Sequence, residues 1–283
     1  MRKFFSTIGV LTLAIVSFIY TDKTVEVAKQ FDNVMTTIKE VSGEYYVDPI
    51  DGMIIDNISF VPGISGREVD ENSSYKKMKK YGGFNKNLFE YKEIKPKNKL
   101  EDNLNKYIIS GNKKKNMVSL IFIVDENSNI NKILDIVQNK NIKVNFFVDG
   151  YWLEKNNELV NEIINKGHTV GNLSYNMNYQ NSAFSWMDTI IKRLSKEKYG
   201  FCYSEIENLE NLNICAMNKN FTIKPSIIIK KYPLKEIKEQ IVSGSIISLP
   251  CNLSVEQELN SIISYINSRG LEIDTLKNLL REN

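Results

Sequence analysis

The sequence predicts an α/β protein built on a parallel sheet, open or closed into a barrel. Three observations carry that expectation. Between about residues 116 and 281, short β-branched and aromatic runs alternate with helical apolar stripes. The run Val118–Val124 is almost continuously apolar, which marks a buried strand. The composition of the 283 residues, 42% hydrophobic and 25% charged with six prolines, is that of a globular chain and not of a disordered or collagenous one.

In chain order, Arg2 and Lys3 precede an apolar stretch from Phe4 to Tyr20, broken only by Ser6, Thr7, Gly9, Thr12 and Ser17. It is at the lower edge of spanning length, and no small-x-small cleavage triplet follows it. The expectation is an uncleaved membrane anchor over residues 1–21, passing through the bilayer at 4–20 and leaving the remaining chain extracytoplasmic. Secretion after cleavage is the alternative, and a buried N-terminal helix a third. Residues 22–40 place Val25, Val27, Phe31, Val34 and Ile38 on an imperfect helical stripe, suited to a juxtamembrane helix. Residues 41–115 carry turn signals at Pro49, Asp51-Gly52, Pro62-Gly63, Gly66 and Gly82-Gly83, so 22–115 is expected to form a juxtamembrane helix and a small accessory region. The main domain is expected over 116–283.

Within that domain the pattern gives a strand at 118–124, a helix at 130–138, a strand at 142–148 and a helix at 153–165 closed by Gly167. It continues with a helix at 185–194, a strand at 222–230, a helix at 234–242, a strand at 245–249 and a helix at 254–268 ended by Gly270. A short strand at 271–273 and a helix at 275–280 complete it. Ligands of such a sheet are expected beyond the C-terminal ends of its strands.

Residue counts narrow the chemistry. The formal charge is +3, with five arginines among many lysines, which does not describe a nucleic-acid face. His168 is the single histidine, so sites needing two or three imidazoles are excluded. Cys202, Cys215 and Cys251 show no CxxC spacing; this argues against a zinc knuckle or disulfide framework and leaves room for one disulfide.

The stretch from Asn141 through Lys143-Val-Asn-Phe-Phe-Val-Asp-Gly-Tyr-Trp152 to Gly167-His-Thr-Val-Gly-Asn172 closely resembles the second strand and helix of the polysaccharide deacetylase, or NodB-homology, domain. The resemblance covers roughly residues 116–281. It implies a distorted (β/α) barrel and metal-dependent N-deacetylation of peptidoglycan or chitin-like polymers, with a divalent cofactor such as zinc. The residues at the family positions depart from that chemistry. The acidic pair falls on Ile123 and Val124, or, with one inserted residue, the ligand falls on Asp125. The metal histidines fall on Leu173 and Met177, the arginine on Cys202 and the acid histidine on Pro250. Leucine and methionine do not replace imidazoles around a divalent ion. No catalytic residue, no metal ligand and no cofactor are therefore expected.

The resemblance implies an old groove in which Tyr175, Tyr203, Asn172, Asn176 and Trp152 are candidate glycan contacts, with Tyr151 as further stacking surface. For Trp152 the competing reading is a core residue packing a helix onto the sheet. A weak calcium site from Asp125, Glu126, Asn127, Asn172 and Asn176 competes with a plain polar loop. Cys202 and Cys251 map near the same pocket, which leaves a disulfide between them open. The expected function is a catalytically inactive deacetylase-like protein that binds cell-wall glycan or serves assembly with a membrane or envelope protein. The alternatives are an active N-deacetylase with a rearranged site and a protein-interaction module that binds no glycan.

Overall fold

The computed structural model describes residues 32–283 together with Ile15, Ser17 and Lys29. The chain divides into two compact units. The smaller comprises residues 1–49 and 65–94. Helix α1 (Asn33–Ser42) starts at Asp32, whose carboxylate accepts the Val34 N–H at 2.9 Å. Helix α2 (Glu71–Lys80) starts at Asp70 in the same way, through Ser73. Each cap satisfies an N–H that the first helical turn leaves without a partner. The antiparallel pair β3 (Gly66–Val69) and β4 (Tyr91–Ile94) completes the unit. Ile38, Val69, Met78 and Phe89 fill its core.

The larger unit, residues 50–64 and 95–283, is the α/β body. Its strands are β1 (Met53–Ile55), β2 (Ser59–Val61), β5 (Tyr107–Ile108), β6 (Met117–Val124), β7 (Asn145–Val148), β8 (Thr169–Asn172) and β9 (Gly200–Tyr203). They continue with β10 (Asn220–Ile223), β11 (Ile227–Ile228), β12 (Ile246–Pro250) and β13 (Glu272–Ile273). The sheet order is β1-β2-β5-β10-β9-β8-β7-β6-β12-β11, with β13 on the start of β6; every pairing but β1–β2 is parallel.

The expected barrel is corrected to a curled, open half-barrel: β1 and β11, at the two ends of the order, do not pair with each other. They are three and two residues long, and β1 is the antiparallel member, so neither edge offers a ladder that could close the sheet.

Alternation along each strand builds two cores. Val118, Leu120, Phe122 and Val124 of β6 face outward with Phe146 and Val148 of β7. There they meet α3 (Asn131–Asn139), α5 (Asn157–Asn165), α8 (Pro233–Gln240) and α9 (Leu253–Ser268) through Ile133, Val137, Ile163, Ile237 and Leu259. Ile121, Phe147, Tyr203 and Ile223 face inward, where α10 (Leu276–Leu280) adds Leu276, Leu279 and Leu280. Buried Asn145 fixes that last helix: its Nδ2 donates to Ser119 Oγ at 2.8 Å and to the Leu120 carbonyl at 2.7 Å, while its Oδ1 accepts the Leu276 N–H at 2.8 Å.

The membrane expectation is also corrected. Among the described residues no helix is long and apolar enough to cross a membrane. The segment 4–20 lies outside the described residues apart from Ile15 and Ser17. The anchor over 1–21, the membrane contact through 4–20 and the extracytoplasmic placement rested on that segment and are not carried further.

Candidate functional site

The C-terminal ends of the central strands form an apolar floor. Ile123 lies in register with Phe147 on one side and Pro250 on the other. Ile121, Phe147, Leu173 and Tyr203 pack into one buried cluster, with Ile123 partly buried against it. Tyr203 is 4% exposed, its ring edge-on to Phe147 at 6.0 Å and its hydroxyl 3.0 Å from Ser248 Oγ. Val124 faces the other side of the sheet, in the outer core.

The remaining family positions are dispersed. Asp125 is exposed, and its Oδ1 accepts the Asn127 N–H at 3.0 Å and the Ser128 hydroxyl at 2.9 Å, which folds the loop back on itself. Leu173 is buried, whereas Met177 is 43% exposed on the loop after β8, so the two are not brought together around a common point. Among the described residues no group of three or more His, Cys, Asp or Glu could hold a metal. The groups at these positions do not fit a divalent ion, because apart from the exposed Asp125, whose carboxylate is engaged within its own loop, they are aliphatic carbons and one thioether and supply no imidazole.

Cys202 is bonded to Cys215, not to Cys251. Cys215 is on α7 (Leu209–Met217), which connects β9 to β10 and packs on β10, and Cys202 pairs in register with Thr222 of β10. That places the two thiols face to face, while Cys251 stays free beyond the end of β12. Burial, with Asp125 and Glu256 nearby, pushes the Cys251 thiol up to about 12. It is protonated at neutral pH and is no nucleophile.

His168 precedes β8, at the opposite end of the strands from this floor. Its Nδ1 accepts the Val144 N–H at 3.2 Å, and Phe146 meets the ring edge-on at 5.7 Å. Burial, then the charges of Lys143 and Lys166, lower its pKa to about 4.

What the strand ends do present is an aromatic shelf. Tyr151 and Tyr175 stack edge to face at 4.8 Å, and Trp186 of α6 (Asn181–Ser195) lies 6.5 Å from Tyr175 at a tilt of 35°. Tyr151 is 40% and Trp186 46% exposed. Beside them is a hollow of about 330 Å³ lined by Tyr151, Tyr175, Asn176, Asn178, Gln180 and Ala183.

The backbone holds this shelf in place. Asp149 is buried at the N-terminus of α4 (Gly150–Lys155), where its Oδ1 accepts the Tyr151 N–H at 2.8 Å and its Oδ2 accepts the Asn176 N–H. Ser174, Asn176 and Met177 all adopt positive φ, between 50° and 58°. Such conformations cost energy outside glycine, so the surrounding bonds must impose them. A Cβ on Gly150 would stand 2.6 Å from the Tyr175 ring, so glycine there is a condition of the tyrosine's position. The Tyr175 hydroxyl donates to Glu154, and burial together with that carboxylate raises its pKa.

Of the sequence candidates, Tyr151, Tyr175 and Asn176 therefore meet at the hollow, and the buried Tyr203 does not. Asn172 is 1% exposed and engaged, its Nδ2 donating to the Phe184 carbonyl at 3.1 Å and its Oδ1 accepting the Ser174 N–H at 2.7 Å. Trp152 is 2% exposed and its Nε1 donates to the Ser128 carbonyl at 2.9 Å. Sequence reasoning missed Trp186. Its signal is a tryptophan off the stripe formed by Phe184, Met187 and Ile191 on the same helix.

The polysaccharide deacetylase family profile matches residues 110–201. A curated relative, the uncharacterized protein YlxY of Bacillus subtilis (strain 168), is 35% identical over 154 residues, 54% of this chain. The chain spans about half the length of that relative, 48%. The structure of wild-type BA3943, a CE4 family pseudoenzyme from Bacillus anthracis, superposes with a TM-score of 0.66 at 24% identity, covering 89% of this chain and 96% of that one. A mutant of BA3943 with restored enzymatic activity superposes at 0.67, also at 24% identity, covering 89% and 99%. At this identity the likeness establishes the fold.

Proposed function

The chain belongs to the polysaccharide deacetylase family, and on that premise we propose that it is a catalytically inactive member whose strand-end shelf binds cell-wall glycan. One observation carries the loss of activity. The inward floor where the resemblance places the base, one of the metal histidines and the acid is made of Ile123, Leu173 and Pro250 around Phe147. Deacetylation needs a Lewis acid to activate water and a proton donor for the departing amine. Aliphatic side chains supply neither. Wild-type BA3943, a protein of the same fold, is likewise a pseudoenzyme.

The shelf supports the glycan reading. Sugar rings present C–H faces that lie on aromatic rings, and their hydroxyls and N-acetyl amides pair with amide side chains. Tyr151, Tyr175 and Trp186 supply the rings, and Asn176, Asn178 and Gln180 supply the amides around one hollow.

Two measurements test the proposal. Incubation with acetylated chitooligosaccharide and zinc is expected to release no acetate; release at an enzymatic rate refutes the inactive reading. Sedimentation with insoluble peptidoglycan is expected to retain the protein, and Tyr175→Ala or Trp186→Ala to weaken retention about ten-fold, near 1.4 kcal/mol. Equal retention of both variants, or none by the parent protein, refutes the shelf.

A further inference from the structure

A second cavity lies at the other end of the strands. It encloses about 580 Å³ against the starts of β8, β9 and β10, in contact with the ends of α5 and α6 and with α10. It is independent of the shelf and of the family's site, both of which lie at the C-terminal strand ends.

Its walls and rim differ in character. Val170, Ile191, Phe201, Phe221 and Leu280 make the walls apolar. Four cations line it, Lys192, Lys198, Lys277 and Arg281, against one carboxylate, Glu197. Lys192 is paired with Asp188 at 2.8 Å, and Lys277 with Glu197. Lys198, which lies over the Tyr199 ring at 4.7 Å, and Arg281, whose Nε donates to Asn283 Oδ1, have no carboxylate at salt-bridge distance among the described residues, and both are exposed at the rim. His168 also lines the cavity at 5% exposure. Because its Nδ1 accepts the Val144 N–H, the neutral ring carries its proton on Nε2, and that donor has no partner among the described residues.

We propose that this cavity binds a small monoanion with an apolar body, a medium-chain or aromatic carboxylate, with its head at the Lys198–Arg281 rim and its body against Val170, Phe201 and Phe221. The volume is within the range of small-molecule sites, and apolar walls with a few polar groups are their usual lining. The charge of the ligand follows from the surroundings. Two cations without a carboxylate partner favour an anion, yet α5 and α6 present their C-terminal ends here, where the carbonyl dipoles oppose negative charge. That combination suits a single negative charge better than a phosphate ester.

The single histidine makes the test specific. Octanoate is titrated into the full-length protein while the His168 ring protons are followed by NMR, with octan-1-ol and octylammonium as controls. A saturable shift with octanoate that the controls do not match is expected. Lys198→Gln/Arg281→Gln is expected to weaken octanoate binding at least ten-fold, while Tyr175→Ala leaves it unchanged. No saturable shift at millimolar octanoate, an equal response to octylammonium, or unchanged affinity in the double variant overturns the proposal. None of these outcomes bears on the glycan reading, which is tested at Tyr175 and Trp186.

Discussion

The depressed pKa of His168 makes a quantitative statement about stability. In the unfolded chain a histidine titrates near 6.5; in the folded protein burial holds this one at about 4. Between those values the unfolded chain carries the extra proton, so stability falls as the pH drops through 6.5 and is fully present above it. The two pKa values give a loss of about 2.5 kcal/mol between pH 7.5 and pH 4.5. The ring borders a cavity that admits water, so about 2 kcal/mol is the expected value. The perturbation is His168→Asn, whose side-chain oxygen can still accept the Val144 N–H but does not titrate. The variant is destabilised at pH 7.5 by lost packing against Phe146. Urea denaturation of both proteins from pH 7.5 to 4.5 should show this gap narrowing by about 2 kcal/mol. Carboxylates held low by hydrogen bonds, such as Asp70 and Glu236, titrate in both proteins and cancel in the difference. Parallel curves over that range, or a gap that widens in acid, would refute the reasoning.

Further outcomes follow from other contacts. The Cys202–Cys215 bridge joins residues 13 apart, and loop closure of that length is worth about 3 kcal/mol. Cys202→Ala/Cys215→Ala should lose about that much in chemical denaturation, and reductant should affect the parent protein only. Asn145→Ala removes three buried hydrogen bonds at once, so about 3 kcal/mol should be lost, with faster hydrogen exchange at Leu276 as the local signature. Gly150→Ala should reduce peptidoglycan retention as much as Tyr175→Ala does, because its Cβ displaces the Tyr175 ring. Circular dichroism unchanged from the parent would show that the fold survives.

The sheet was legible where periodicity is unambiguous. The long apolar β6 and the stripe of α9 appear close to their expected places. The strand expected at 222–230 is instead two strands with different neighbours, β10 beside β5 and β9, and β11 beside β12. Pro225, which lacks an N–H to continue a ladder, stands between them. The helix expected at 153–165 breaks at Asn156, whose φ of −126° leaves the helical region. The apolar floor could be anticipated from the replaced motif residues, each a local fact of the sequence. The disulfide could not: three cysteines allow three pairings, and only the position of α7 against β10 selects one. Trp186 reaches Tyr175 across separate elements, and no local pattern encodes such a meeting.

The strand order also sets a timetable for synthesis. β1, β2 and β5 are complete once Ile108 has been made, and β6 to β9 can add to one another as they emerge. The two pieces have no shared neighbour until β10, which pairs with β5 on one side and β9 on the other. Tyr107 waits for Thr222, about 115 residues later, or roughly 6 to 23 s on the ribosome. The edge of β5 is open throughout that interval, and the edge of β9 from its completion at Tyr203. β10 is thus the keystone of the fold, and a nascent chain halted before it holds two partial sheets.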